Sequence, residues 1–182
     1  DVDQTRVKRQ TIGNCGSYAF AGWAESLATT AGRTDLNISE SYWNYWHWYR
    51  QIANDSSTHL EIDTSGEFGK MYWLGRERGL MEEADFISTE AETESSFQQR
   101  SALTTLNLSL ESGALSTAAA RRDLVLVRRE LNRAFELETN VVAQLDLVFG
   151  EDGAKTFEDG ADNQGTKILR TAGVPAQFSD PS

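Results

Sequence analysis

The chain has 182 residues, 39% of them apolar and 10% aromatic, which is enough to bury a core without disulfide staples. Its formal net charge is -11, and its basic clusters, Arg6-Val7-Lys8-Arg9 and Arg121-Arg122 with Arg128-Arg129, are short, with Asp123 and Glu130 offsetting the second; a nucleic-acid partner, which needs a basic patch, is not expected. One cysteine excludes an internal disulfide and any multi-cysteine metal site, the only histidines are His47 and His59, no HExxH, Walker or GxGxxG pattern occurs, and no apolar run nears the roughly 18 to 20 residues of a membrane span.

The first residues, Asp1-Val2-Asp3-Gln4, lack the basic and apolar regions of a signal peptide. They suit the mature end of a chain exported after removal of one. Residues 1 to 14 read as an extended entry, closed by the turn signal Gly13-Asn14. From Cys15 to about Thr29 the pattern is helical, with Phe20, Trp23, Ala24 and Leu27 on one face and Cys15 at the N-terminus. Ser39 and Glu40 are capping candidates for the next helix. Its run from Ser41 to Tyr49 is aromatic on nearly every side, so it is expected to be buried on more than one face. Residues 53 to 67 read as a loop. Glu67 to Arg78 is a third helix, stopped by Gly79, and Leu80 to Ile87 continues as an extended piece. Beyond residue 88, Ser95 to Glu111 and Thr117 to about Asp146 read as two helices joined at Ser112-Gly113 in an antiparallel hairpin. Residues 150 to 166 are a loop.

Cys15 is the residue with chemistry. A thiol at a helix N-terminus meets unpaired N–H groups and the positive end of the macrodipole, both of which favour thiolate. Gln10, five residues upstream, is placed to offer an amide to a developing oxyanion, and the Cys15 N–H is a second donor. The bland alternative is a buried cysteine acting as a small apolar residue.

These residues resemble the papain-like cysteine peptidases. Val7 to Ala19, with Gln10, Gly13, Cys15 and Tyr18, is similar to the nucleophile motif. Leu36 to Trp46 is similar to the helix start that follows, in the version of the bleomycin hydrolase and aminopeptidase C branch. Ser65-Gly66-Glu67-Phe68 through Gly79-Leu80-Met81 resembles the glycine strip and its helix. The resemblance implies an α+β papain-like fold, of which residues 1–182 form mainly the α-rich lobe, with residues 88 to 150 as a helical-hairpin insertion. It implies peptide-bond hydrolysis through a thioacyl-enzyme on Cys15, Gln10 in the oxyanion hole, Ser65 and Gly66 along the substrate cleft, and no metal or organic cofactor.

The chain departs from that pattern in several places. Gly16 stands where the family has a tryptophan, Gln10 is one residue closer to the cysteine than usual, and Ser65-Gly66 replaces two glycines. In a second register Cys15-Gly16-Ser17 matches a non-catalytic stretch, the nucleophile position falls near Tyr18, and the protein is inactive. The window where the family's histidine falls, about residues 145 to 165, holds none. Two explanations remain. Either maturation leaves the catalytic histidine and asparagine on a second polypeptide chain, with Ser179-Asp180-Pro181-Ser182 as a processing end, or the chain is a catalytically inactive binding or scaffold subunit. A third reading, from a different class, is a helical interaction module that docks a partner on the aromatics of residues 41 to 49.

Overall fold

Burying a helix that is aromatic on all faces requires other helices around it, and the chain is built that way. The structure, a computed structural model, describes residues 8–55, 57, 61–93, 95–163 and 165–171. His59, Val7 and the Ser179–Ser182 end lie outside the described residues. In order the helices are α1 (Cys15–Thr30), α2 (Glu40–Asn54), α3 (Phe68–Arg78), α4 (Glu83–Phe86), α5 (Ser88–Thr93), α6 (Phe97–Glu111), α7 (Ala118–Arg121), α8 (Leu124–Ala134) and α9 (Thr139–Phe149). None is long and apolar enough to cross a membrane.

The α+β papain-like fold implied by the resemblance is overturned. The described residues form no sheet, and the chain is an α-rich domain. Its extended pieces are short and separated by helices, so each meets a neighbour at one isolated bridge: Arg9 with Ser95, Ile38 with Glu82, and Leu80 with Leu169. Single pairings satisfy a few backbone groups, such as the reciprocal Leu80 and Leu169 bonds of 2.9 and 2.8 Å, without building a ladder.

α2 is the centre. It packs against α1, α3, α4, α6 and α8. Tyr42, Trp43, Tyr45, Trp46, Trp48 and Tyr49 are all buried. The start is set by Ser39, whose hydroxyl accepts from the Tyr42 N–H at 3.2 Å. The buried aromatics leave the helical interaction module no exposed aromatic face on α2. The face expected on α1 holds in part: Phe20 is buried, but Leu27 is half exposed.

Elsewhere the boundaries shift. The piece from Leu80 to Ile87, expected to be extended, contains α4, and α5 follows at once. The single helix expected from Thr117 to Asp146 is three. Asp123 breaks it by accepting from the Leu126 N–H at 3.0 Å, starting α8 afresh. Glu136, at φ +52°, lies between α8 and α9. α6 packs on α8, as a hairpin would, and α8 packs on α2, so these helices share one core with the first three.

Two buried guanidiniums close on the indole of Trp46. Arg78 lies 4.1 Å from the ring centroid and donates to the Gly153 and Lys155 carbonyls at 2.9 and 2.7 Å. Arg128 lies 5.1 Å away and donates to Tyr45 Oη at 2.6 Å and Asp146 Oδ1 at 2.9 Å. Arg78→Ala strands the buried Gly153 carbonyl, releases the Lys155 carbonyl and opens a void against Trp46. It should lower unfolding free energy by about 3 kcal/mol, read as a lower urea midpoint at unchanged m value.

Candidate functional site around Cys15

Three pieces of chain meet at the start of α1. The first is the turn before it. The Asn14 N–H donates to the Ile12 carbonyl at 2.9 Å and the Ser17 N–H to the Asn14 carbonyl at 3.0 Å. Cys15 is then the first helical residue, and its side chain is exposed, so the buried-apolar alternative does not hold. Asn14 occupies the N-cap position but makes no side-chain cap. Gln10 is also exposed, and its Nε2 donates to the Ile12 carbonyl at 2.5 Å, so its amide is folded onto its own turn.

The second piece is the loop before α3. Gln51 on α2 grips Asp63 at both backbone groups, each at 2.8 Å. Asp63 Oδ1 then accepts from Ser65 N at 2.8 Å and Ser65 Oγ at 2.6 Å. These bonds hold the Asp63 carboxyl below its usual range. So braced, Gly66 comes against Gly16. A Cβ on Gly16 would lie 1.5 Å from the Gly66 carbonyl oxygen, so no side chain fits there. The structure thus brings Gly66 against Gly16, the residue after Cys15. It also supplies a reason for Gly16, where the resemblance would place tryptophan.

The third piece is the first turn of α6 with the residues before it. Thr11 Oγ1 donates to the Ser96 carbonyl at 2.7 Å. The Arg100 guanidinium donates to the Thr11 carbonyl, Nε at 3.2 Å and Nη2 at 2.5 Å. Tyr18 Oη donates to Ser96 Oγ. Sequence reasoning missed this element, because nothing in Ser95–Arg100 signals a contact some eighty residues back.

Upstream, Lys8 ties the entry segment down. Its ammonium is buried, donates to the Ile38 carbonyl at 2.7 Å and to both Glu40 oxygens at 3.0 and 3.1 Å, and lies 3.7 Å from Glu25 and Glu83. Burial works against the charge of Lys8, but the surrounding carboxylates outweigh it and raise its pKa. Burial pushes Glu40 up to about 8; Lys8 pulls the other way and Glu83 adds to the rise.

His47, the one histidine among the described residues, is half-buried on α2. Burial holds its pKa below the usual value, and the groups facing it are the Ser65 backbone, Lys70, Asp63 and Arg50; Cys15 is not among them. It lines a cleft of about 620 Å³ between α2 and α3, with Arg50, Gln51, Lys70 and Trp73. Among the described residues no group of three His, Cys, Asp or Glu could hold a metal ion.

The chain matches no family model, no curated protein and no solved structure.

Two outcomes test this geometry. Gly16→Ala forces the Ser65–Gly66 segment away from α1. Proteolysis between Asp63 and Phe68 should quicken at least tenfold while α2 stays folded, as judged by tryptophan fluorescence. The second concerns pH. Glu40 has a folded pKa near 8, above its unfolded value of about 4.3. The folded chain therefore holds more protons between those values. Stability is fully present below about pH 4.3 and declines as pH rises toward 8. Melting temperature should fall across that window, and less so in Glu40→Gln.

Proposed function

We propose that this protein is a cysteine peptidase in which Cys15 is the nucleophile, with the catalytic histidine and asparagine on a second polypeptide chain. What carries the reading is one juxtaposition. An exposed thiol begins a 16-residue helix whose N-cap side chain is turned away, and the Ser65–Gly66 segment lies against the next residue. The order of motifs along the sequence supports the same role.

In this reading the second chain's imidazole takes the thiol proton, and the Cys15 sulfur adds to the scissile carbonyl. The negative charge on the carbonyl oxygen falls to the Cys15 N–H and to the Gln10 amide, which must first leave the Ile12 carbonyl. Collapse breaks the C–N bond, and the imidazolium returns its proton to the leaving amine. Water, deprotonated by the same imidazole, then releases the acid and restores the thiol. Ser65 and Gly66 flank the bound peptide. The second chain would arise by self-cleavage of a precursor.

A second reading has specific support. His47 is engaged by the Ser65 backbone among Lys70, Asp63 and Arg50, and Gln10 is tied to Ile12. A catalytically inactive binding or scaffold subunit has no need of either. Brief iodoacetamide treatment at about pH 5.5, followed by denaturing intact-mass analysis, separates the two. An ordinary thiol, with a pKa of about 8.5, is almost wholly protonated there. The peptidase reading expects rapid alkylation of Cys15 and a second chain bearing histidine in the spectrum. A single chain with an inert thiol overturns it in favour of the inactive subunit.

A further inference from the structure

Asparagine is among the best N-cap residues because its side chain accepts from the N–H two or three places into the helix. Asn14 stands at that place on α1 and does not do so. Its Nδ2 instead donates to Gln99 Oε1, on the first turn of α6. Its own Oδ1 is buried without a partner. That bond to α1 is not made, and the side chain is held elsewhere.

What holds it is a buried network. Gln99 Oε1 also accepts from Asn44 Nδ2 at 3.0 Å, and Gln99 Nε2 donates to Ser41 Oγ at 2.8 Å. Ser41 donates in turn to Glu90 Oε2, and Ser17 Oγ donates to Asn44 Oδ1 at 2.8 Å. Asn14, Ser17, Ser41, Asn44, Glu90 and Gln99 are essentially inaccessible to solvent. Both ends of the Gln99 amide are therefore engaged, which fixes which atom faces Asn14. A network of this kind is rigid because each member would be left unpaired by moving.

We infer that Gln99 is a positioning residue for Cys15: by holding the Asn14 amide off the start of α1, it keeps the first N–H groups of that helix open beside the thiol. Those groups, on Cys15 and Gly16, are the ones that would stabilise a thiolate or an oxyanion. Released, Asn14 would turn back to cap Gly16 and take its N–H, since the Ser17 N–H already donates to the Asn14 carbonyl. This rests on the reading of Cys15 as a nucleophile, and it adds a residue from a distant helix that touches neither the thiol nor a substrate.

The test is the second-order rate of Cys15 alkylation by iodoacetamide from pH 5 to 9, with melting temperature recorded for each variant. Gln99→Met fills the same volume and removes the acceptor. It should slow alkylation about tenfold below pH 7, the size of one hydrogen bond at a charge, with the pH profile moved upward. Gln99→Glu keeps an acceptor for Asn14 and should recover most of the rate. Adding Asn14→Ala to Gln99→Met removes the group that would cap, so the double variant should match Asn14→Ala alone. A folded Gln99→Met variant at the wild-type rate, or a double variant as slow as Gln99→Met, overturns the proposal, leaving Gln99 a purely structural group. If Gln99→Met does not fold, Asn14→Asp takes its place: it loses the donor to Gln99, should be slowed as much, and overturns the proposal if it is not. A wild-type thiol no faster than the thiol of the unfolded chain fails differently, since it removes the nucleophile itself.

Discussion

A helix with aromatic side chains on every face has no side to give to water. α2 is such a helix, and the architecture follows from covering it. α1 and α3 take one part of its surface, α4 and α6 another, and α8 the rest. Large rings pack well only at specific angles, and these meet mostly edge to face, as Tyr42 does with Phe86 and Trp46 with Phe149. The polar ends of these rings need partners in the same dry space. The Tyr42 hydroxyl finds the Arg78 carbonyl at 2.6 Å, and the Trp43 indole finds the Gly79 carbonyl at 2.9 Å.

The N-terminal end of α2 differs from its middle. Ser39, Glu40, Ser41 and Asn44 are polar and buried. Ser39 caps its own helix, while Glu40, Ser41 and Asn44 are answered from other parts of the chain, and those answers converge on the turn at Cys15. Glu40 draws in Lys8 and so fixes the entry segment. Ser41 and Asn44 draw in Gln99 and so bring the start of α6 to the turn before α1. Further along, Gln51 sets the loop that carries Ser65 and Gly66. The three pieces around the thiol are thus all referred to one helix, and a buried polar network fixes them more narrowly than apolar packing would.

The same network contains a titratable group. Burial pushes Glu90 up to about 7, while its bonds from Ser41 and from the Gln98 N–H pull the other way. Glu83 adds to the rise and also faces Lys8. The two supports of the Cys15 turn thus have Glu83 as a common neighbour.

Local signals in the sequence were sufficient for much of this. The serine before α2, the glycine after α3 and the aromatic run between them determined where those helices stand and that α2 is buried, because capping, positive φ and burial act over a few residues. They also placed Cys15 at a helix start. The α+β fold was read from motif order, and the described residues, with isolated bridges in place of a sheet, do not form it. Motif order records what precedes what and not whether extended pieces find one another. The break of the 117–146 helix turned on Asp123, whose side chain serves as a cap or as solvated helix surface depending on the backbone around it. Only the tertiary structure decided which distant groups reach the thiol. Gly16 against Gly66, Gln99 on Asn14 and Lys8 among three carboxyls are contacts between residues tens of positions apart, and they exist because covering one helix on all sides brings those residues together.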